Sequence, residues 1–266
     1  RDGHLTVFED RLLGRGGFGS VYVGAFCGML VAVKRPLRRL GNHDLDTLGD
    51  MCNELRVMRY LRHPNIVTTY GAVVLPQRRE IALVLELIDG ATLRGLVLPS
   101  GAGGAGLGLL ARYQIMLGVC QALLYVHSRS PRVVHGDLKD SNVMVRLTDG
   151  EARPKLLDFG LSRVLARRMR PLGGTLSWMA PEVLHERGLV RCSADVYSFG
   201  LLIAVTATGV RPAPGMARSA IKRALRRWEP PAPVWPAQCA FAPACSAWVG
   251  ACLSPAEDQR PDIRAV

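Results

Sequence analysis

The chain has 266 residues, of which 48% are hydrophobic, so it is long enough to bury the core of one two-lobed unit or of two modest domains. No apolar run approaches the roughly 20 residues needed to span a bilayer, and the N-terminus lacks the apolar core of a signal peptide, so no membrane span is expected. The formal net charge of +12 favours a solvated basic face, or else acidic substrates, over specific nucleic-acid binding, because aromatic residues that could stack on bases make up only 6% of the chain.

The first third of the sequence predicts an antiparallel sheet with one helix. Short apolar or alternating runs broken by glycines predict strands at residues 5–13, 21–26, 30–34, 66–74 and 81–87. Between the third and fourth strands, residues 44–60 carry apolar side chains at helical spacing, with Asp44 as a plausible N-cap. Glu54, Met58 and Leu61 share one face of this helix, so the glutamate can point inward beside core residues.

Beyond Asp89-Gly90 the pattern becomes mainly helical. Long apolar helices are predicted at 109–127 and 194–208, and a basic helical stretch follows at 218–228. The glycine-rich segment 99–106 offers too little side-chain burial to offset its ordering entropy, so it is predicted to be a flexible insertion.

The seven cysteines are scattered and form no C-x-x-C pair, which argues against a disulfide framework or a zinc site. Buried, reduced thiols in a cytoplasmic or nuclear protein are the simplest interpretation. The sequence begins at Arg1 rather than at Met, so we expect it to be a domain of a longer protein.

Residues 14–21 read Gly-Arg-Gly-Gly-Phe-Gly-Ser-Val, a G-x-G-x-x-G motif that leads into a strand pattern. In the dinucleotide fold the glycines lead instead into a helix, with an acidic residue about 20 positions later. A glycine turn between two strands makes a flap whose backbone N–H groups can lie over phosphates. The motif alone is also compatible with an ordinary glycine-rich hairpin.

Lys34 ends the next strand, Val-Ala-Val-Lys, and is either a snorkelling surface residue or an inward cation for phosphates. A buried ammonium needs an anionic partner, and Glu54 on the predicted helix is the natural candidate. Without that pairing, Glu54 would be a surface residue.

The segment His-Gly-Asp-Leu-Lys-Asp-Ser-Asn at 135–142, followed by Asp158-Phe-Gly, carries the groups that phosphoryl transfer needs. Asp137 can serve as the carboxylate near an attacking hydroxyl, and Lys139 can offset the charge of the transferring phosphoryl group. Asn142 and Asp158 offer the oxygen ligands that Mg²⁺ prefers. Each residue alone could be a polar loop residue, but the spacing and order together indicate transfer from ATP.

In this order the motifs resemble those of the eukaryotic protein kinase superfamily over essentially the whole chain. The resemblance extends to His-Pro-Asn-Ile-Val at 63–67, Ala-Pro-Glu at 180–182 and Asp-Val-Tyr-Ser-Phe-Gly at 195–200. It also extends to Arg260, which would pair with Glu182.

The resemblance implies an α+β, two-lobed protein kinase fold. Residues 1–87 would form a small antiparallel-sheet N-lobe with one main helix. Residues 88–266 would form a larger, mostly helical C-lobe, whose last helix is expected to be truncated.

The resemblance also implies a role for each matching residue. Phosphoryl transfer would depend on Asp137, Lys139, Lys34, Glu54 and Thr175. ATP would contact Leu13, Gly14, Gly16, Gly19, Val21, Ala32, Lys34, Leu85, Glu86, Ile88 and Met144. Mg²⁺ would be held by Asn142 and Asp158. His135, Phe159 and Met58 would stack in the family's regulatory spine, in which Thr69 takes the place of a usual apolar residue.

Lys139 and Thr175 follow the serine/threonine pattern, so protein serine and threonine hydroxyls are the implied acceptors. The sequence around Ala180 resembles the tyrosine-kinase-like group, which includes Raf-type, mixed-lineage and plant MAP-kinase-kinase-kinase-like enzymes. Gly136 departs from the family, which usually has an arginine there that binds a phosphorylated activation-loop residue. We therefore expect activity that is not switched by phosphate docking at position 136.

Three alternatives stay open at this point. A pseudokinase should lack Lys34, Asp137, Asn142 or Asp158, and this chain retains all four. A nucleic-acid-binding protein would bind DNA with a steep salt dependence. A small-molecule kinase of the same fold is less favoured by the Ala-Pro-Glu motif. The physiological substrate, the upstream regulator and the oligomeric state do not follow from the sequence.

Overall fold

The computed structural model describes residues 5–16, 19–35, 54–75, 80–98, 107–159, 163–164, 175–185 and 191–266. The chain forms two compact units, Arg1–Asp89 and Gly90–Val266. The first unit is dominated by a sheet and the second by helices, as the predicted α+β fold requires. The sequence prediction placed the division slightly earlier, after residue 87.

The first unit is built on five antiparallel strands in the spatial order β1-β2-β3-β5-β4. They are β1 (Leu5–Gly16), β2 (Gly19–Phe26), β3 (Met29–Arg35), β4 (Thr69–Leu75) and β5 (Glu80–Glu86). Small and β-branched side chains of β3 and β5 form a buried core cluster of Val31, Val33, Ala82 and Val84. Such residues suit the centre of a sheet because their side chains pack well on its pleated surface.

All five predicted strands are present, and the two largest shifts, of three residues each, are at the end of β1 and the start of β4. β1 continues through the glycines to Gly16, because it stays paired with β2 up to Gly19. β4 begins at Thr69 rather than at residue 66, because the backbone amide of Ile66 closes a turn onto the carbonyl of His63. Ile66 is buried nonetheless, which explains its apolar character.

The predicted helix of the first unit is described only in its last part. Residues 54–58 are helical, and residues 36–53 lie outside the described part of the chain. Glu54, Met58 and Leu61 are all buried, with exposed fractions of 2%, 1% and 3%, which confirms that they share an inward face.

The second unit combines short strands with helices. Its strands are β6 (Ala91–Thr92), β7 (Val133–Val134), β8 (Val143–Thr148), β9 (Glu151–Leu156) and β10 (Arg163–Val164), which pair as β6-β8-β9 and as β10-β7. Its helices are α1 (Leu93–Val97), α2 (Leu109–His127), α3 (Pro181–His185), α4 (Cys192–Thr208), α5 (Arg218–Arg226) and α6 (Ala242–Cys252). The three predicted helices correspond to α2, α4 and α5, while the predicted glycine-rich insertion at 99–106 lies outside the described residues.

Helix α4 is the core of the second unit. Every residue from Ala194 to Ala207 is buried, and the helix packs against α2 and α6. Gly209 then ends the helix in a left-handed conformation, with φ 71°, that glycine adopts without strain.

Helix α2 corrects one expectation from the sequence. By its length and composition it could cross a membrane, although no apolar run of that kind was expected. A core helix of a globular protein passes the same test, and α2 packs against β9 and α4 along a buried face that includes Ile115, Val119 and Leu123. The length and composition of α2 are therefore only weak evidence for a membrane span.

A buried ion pair ties two distant parts of the second unit together. Arg260 donates two hydrogen bonds to the carboxylate of Glu182, at 2.6 and 2.7 Å, and both side chains are buried. The pairing predicted from the resemblance is thereby confirmed. Bidentate geometry of this kind is the strong form of an arginine–carboxylate interaction.

The described cysteines only partly match the expectation of buried thiols. All six are free, but Cys252 alone is buried and Cys27 is exposed. Burial raises the pKa of the Cys252 thiol to about 11 and that of Cys192 to about 11, so both thiols stay protonated and unreactive near neutral pH.

Candidate active site

Within the first unit, strand β3 carries a buried lysine paired with a glutamate. Nζ of Lys34 lies 2.7 Å from Oε2 of Glu54, and the exposed fractions of the two residues are 7% and 2%. Two charges this well buried need one another, because removing either partner would leave an uncompensated charge in the interior. The prediction that Glu54 is the partner of Lys34 is confirmed.

The glycine motif lies on the β1–β2 hairpin. Gly14 is paired with Val21 and Gly16 with Gly19, and residues 17–18 between them lie outside the described chain. A Cβ added at Gly14 or Gly16 would meet nothing within 4 Å, so the packing of this chain does not itself require glycine there. Leu13, which precedes the motif, is 52% exposed.

The predicted adenine-binding residues of the first unit lie on adjacent strands. Ala32 of β3 is paired with Leu85 of β5, and Ala32 is buried. The next residue, Glu86, is fixed by two hydrogen bonds: its amide donates to the Thr68 carbonyl, and its carboxylate accepts from the Thr68 amide. Ile88 follows two residues after the end of β5 and is half-buried.

Within the second unit, the loop after β7 brings four predicted site residues into one hydrogen-bonded network. Lys139 Nζ donates to Asp137 Oδ2 and, at 2.9 Å, to Thr175 Oγ1. The Thr175 amide and hydroxyl both donate to Asp137 Oδ1, at 3.1 and 3.3 Å. Asn142 Nδ2 donates to the Asp137 carbonyl at 2.8 Å and to its Oδ2 at 3.3 Å. The carboxylate of Asp137, only 6% exposed as a residue, is therefore held in one orientation.

The two predicted magnesium ligands follow on neighbouring segments. Asn142 turns its amide nitrogen toward Asp137, which leaves its amide oxygen directed elsewhere. The Asn142 carbonyl accepts from the amide of Leu157, the residue before Asp158. Asp158 has φ 60°, a conformation that non-glycine residues adopt rarely and that is typical of functional sites. An amide oxygen and a carboxylate are donors that fit Mg²⁺.

Met144, the predicted adenine-binding residue of the second unit, lies on β8 and is half-buried. It is paired with Thr92 of β6 on one side and with Lys155 of β9 on the other. The strand that carries it begins directly after Asn142, so the two are joined by short, regular backbone.

The loop that carries Asp137 is held in place by a residue for which no site role was predicted. Asp195, at the start of α4, accepts hydrogen bonds from the backbone amides of His135 and Gly136, at 2.7 and 2.9 Å. His127 Nε2 donates a third, at 2.9 Å. Burial by itself would raise the pKa of Asp195. The hydrogen bond and charge of His127, together with the Gly136 amide, outweigh burial and hold this pKa below its usual value. Its carboxylate stays ionised, and the backbone just before Asp137 is fixed to the core helix.

Gly136 occupies a conformation that favours glycine. Its φ is 81°, and its amide is one of the donors to Asp195. An L-residue in this left-handed region is strained by roughly 1–2 kcal/mol. The activation-loop residues 160–162 and 165–174, where the sequence places Ser162, lie outside the described chain.

Two of the three residues predicted for the regulatory spine, His135 and Phe159, contact each other in the second unit with tilted rings. The rings of His135 and Phe159 lie 4.7 Å apart at 54°, and both residues are fully buried. Within the first unit, Met58 is 1% exposed and Thr69 is 5% exposed. The Thr69 hydroxyl has no hydrogen-bond partner among the described residues, so the polar departure noted in the sequence is unsatisfied in the core.

A family model described as "Protein kinase domain" matches residues 8–266 of the chain. The "Probable serine/threonine-protein kinase drkD" of Dictyostelium discoideum is 34% identical over 225 residues, which cover 84% of this chain and 17% of that protein. "Serine/threonine-protein kinase CTR1" of Arabidopsis thaliana is 36% identical over 203 residues, or 75% of this chain and 24% of that protein. "Cysteine-rich receptor-like protein kinase 29" of the same plant is 36% identical over 76% of this chain and 30% of its own length. The chain thus spans less than a third of each of these relatives.

Proposed function

Because the chain belongs to the protein kinase domain family, we propose that it transfers the γ-phosphoryl group of ATP to serine or threonine hydroxyls of protein substrates, in an Mg²⁺-dependent reaction. The observation that carries this proposal is the carboxylate of Asp137, which Lys139, Thr175 and Asn142 hold in one orientation. A carboxylate fixed in this way can accept a hydrogen bond from an incoming hydroxyl without first reorganising.

In the proposed reaction, the hydroxyl oxygen of the substrate attacks the γ-phosphorus while the bond from that phosphorus to the β–γ bridging oxygen breaks. Asp137 orients the hydroxyl and accepts its proton, and ADP departs with the electron pair of the broken bond. Lys139 Nζ, already between Asp137 and Thr175, is placed to offset negative charge on the transferring group. Thr175 is hydrogen-bonded to both side chains and so fixes the Asp137 carboxylate and the Lys139 ammonium relative to each other.

For the nucleotide, we propose Lys34 as the cation for the phosphates, with Glu54 keeping its ammonium in place. The space at Gly14 and Gly16 supports a flap whose backbone can approach phosphates, with Gly19 on the facing strand. The adenine contacts would come from Leu13, Val21, Ala32, Leu85, Glu86, Ile88 and Met144. Asn142 and Asp158 would hold Mg²⁺, which when bound neutralises phosphate charge.

For partners and compartment, we propose protein substrates with acidic flanks and a location in the cytoplasm or nucleus. The formal net charge of +12 supports the attraction of acidic sequences. The six free cysteines among the described residues suit a reducing compartment. The names of the relatives do not point to one cellular location, because one is a receptor-like kinase and another is named only a serine/threonine-protein kinase.

The decisive experiment measures phosphate incorporation from γ-labelled ATP into matched peptides that differ only in a serine, threonine or tyrosine acceptor. Wild type should label the serine and threonine peptides, and Asp137→Asn should lower kcat by at least a hundredfold, in the range of a lost general base. Removal of Mg²⁺ with EDTA should abolish transfer. If neither wild type nor Asp137→Asn incorporated phosphate, the pseudokinase alternative would be favoured. If wild type labelled only the tyrosine peptide, the assignment of serine and threonine as acceptors would be wrong.

We further propose that activity does not depend on a phosphate docked at position 136, because a glycine has no side chain to bind one. Phosphatase-treated wild type should keep its kcat. A loss of activity on dephosphorylation, or on replacing Ser162 or Ser177 by alanine, would contradict this proposal.

A further inference from the structure

Directly after Lys139, the catalytic loop carries an aspartate whose burial the proposed reaction does not explain. Asp140 begins the short 3-10 helix Asp140–Asn142 and is 1% exposed. Neither of its carboxylate oxygens makes a hydrogen bond of normal geometry within the described chain. A buried, ionisable group in this condition is unusual, because native interiors satisfy nearly all such atoms.

Two arginines from distant parts of the second unit converge on this carboxylate. Nε of Arg94, in α1, lies 3.6 Å from Asp140 Oδ2, and Nε of Arg211, just after α4, lies 3.7 Å from the same atom. Both separations exceed hydrogen-bond distance, so the contacts are electrostatic. The arginine side chains are 43% and 40% exposed, so a large part of each remains accessible to a ligand.

The backbone holds both arginines where they are. The side chain of Thr92 caps α1 by accepting from the Gly95 amide, which fixes the helix that carries Arg94. Gly209 ends α4 two residues before Arg211, and a Cβ at Gly209 would come within 2.8 Å of the Val97 carbonyl at the end of α1. Glycine therefore permits the close approach that brings Arg211 beside α1.

The charges of this cluster do not balance. Two guanidinium groups face one carboxylate, which leaves a surplus positive charge at a partly exposed site. The buried carboxylate reduces the repulsion between the arginines and keeps them together, while most of their ten N–H donors stay unused by it. Paired guanidinium groups of this kind suit a planar or tetrahedral anion, which can accept several charge-assisted hydrogen bonds at once.

We propose that Arg94 and Arg211, held together by Asp140, bind an anionic side chain of the protein substrate, either a carboxylate or a phosphorylated residue. This inference rests on the proposed function. Asp140 is three residues from Asp137, so their Cα atoms are at most about 11 Å apart. An extended peptide advances roughly 3.3 Å per residue, so the anionic side chain should lie within about four residues of the phosphoacceptor.

The test uses a neutral serine peptide in which a single glutamate, or a single phosphoserine, is moved through each flanking position. With wild type, one or two positions should lower KM by about five- to tenfold, since each charge-assisted contact corresponds to roughly 1 kcal/mol or more. Arg94→Gln and Arg211→Gln should each remove most of that gain, with little change in kcat or in KM for the peptide without an acid. Arg146→Gln, which removes an exposed arginine of β8, is the matched control.

Two further measurements separate the possible failures. Charge reversal by Arg94→Glu should turn the preference toward a lysine at the same peptide position, and melting temperatures should show that each variant is folded. If the variants lower only the melting temperature and shift KM equally for acidic and neutral peptides, the cluster is structural and the inference is wrong. If wild type labels no peptide, the proposed function fails, and fluorescence anisotropy with a non-phosphorylatable acidic peptide still decides the anion site. A difference in binding between the glutamate and phosphoserine peptides identifies which anion the site prefers.

Discussion

Asp195 and Asp140 are both buried in the second unit, but their surroundings differ. Asp195 accepts three hydrogen bonds. Burial raises its pKa, but these interactions outweigh burial and keep the pKa below the usual value. Asp140 makes no hydrogen bond of normal geometry within the described chain, and burial raises its pKa despite the opposing charges of Arg94 and Arg211. The carboxylate of Asp195 is satisfied by two backbone amides and the His127 side chain, while that of Asp140 contacts arginine side chains that remain partly exposed.

The difference indicates how such a domain can be rigid and adaptable within one loop. The residues that precede Asp137 are fixed to α4, where a satisfied polar network lowers the number of accessible conformations. The residue that follows Lys139, Asp140, contacts two partly exposed arginines but makes no hydrogen bond of normal geometry within the described chain. Changes in the satisfied region should therefore reduce stability and activity together, and changes in the unsatisfied region should not.

The largest effect is expected for Asp195→Asn. An asparagine presents an NH₂ group to at least one of three donors, so we expect a loss of about 3 kcal/mol in the free energy of unfolding and most of the activity. Because the pKa of Asp195 is lowered in the folded state, its contribution is present above the unfolded value of 3.8 and is lost as the pH falls through the folded value. Denaturant unfolding at falling pH should show a difference between the two proteins that stays constant well above pH 3.8 and shrinks as the pH falls below it. Asp258→Asn, an exposed change, is the control, and a loss there of similar size would contradict the assignment.

The next effect is expected for Gly136→Ala in the same network. With φ 81°, alanine should lower the free energy of unfolding by about 1–2 kcal/mol and lower kcat by shifting the amide that donates to Asp195. Gly250→Ala, at a helical position of α6 with open space around it, should not lower the stability in the same assay. An unchanged melting temperature for Gly136→Ala would show that the loop tolerates another backbone conformation.

A smaller effect of opposite sign is expected for Thr69→Val. Valine keeps the shape of threonine and removes a buried hydroxyl without a partner in the described chain, so the free energy of unfolding should rise by about 1 kcal/mol. Thermal unfolding measures this gain, and Thr148→Val at an exposed position serves as the reference. A destabilised Thr69→Val protein would mean that the hydroxyl is satisfied in solution, for example by water.

The smallest effect on stability is expected for Asp140→Asn. The change removes a buried charge, but it also removes attraction to two partly exposed arginines, so the free energy of unfolding should change by less than about 1 kcal/mol. The same variant should bind acidic peptides more weakly, because the arginines lose the carboxylate that holds them together. A loss above about 3 kcal/mol would show that Asp140 is as fully bonded as Asp195 and would remove the contrast between them.

Much of the fold was predictable because its signals are local in sequence. The long apolar helices α2 and α4 and the strands of the first unit follow from periodicity over a few turns or residues. The β8–β9 hairpin was missed, although Asp149-Gly150 lies between its strands with φ 51° and 80°, as a tight hairpin turn requires. That dipeptide is a strong hairpin signal and could have been used.

The candidate site was predictable where its residues lie within one motif, as Asp137, Lys139 and Asn142 do. The hydrogen bonds of Asp195 to residues 135 and 136 were not predictable from spacing, because they join segments about 60 residues apart. The meeting of Arg94 and Arg211 at Asp140 depends in the same way on tertiary structure. Neither arginine belongs to a recognisable pattern, and only the packing of α1 against the end of α4 brings them together.

Gly209 has a consequence for how substrate preference can change in variants of this domain. Because no side chain fits between its Cα and the Val97 carbonyl, a substitution there would push the segment bearing Arg211 away from α1. Selection acting on peptide preference would then constrain a residue that touches no peptide and carries no side chain. A mutational scan read out by preference for acidic peptides should score position 209 together with 94 and 211, whereas a scan read out by phosphorylation of neutral peptides should separate them.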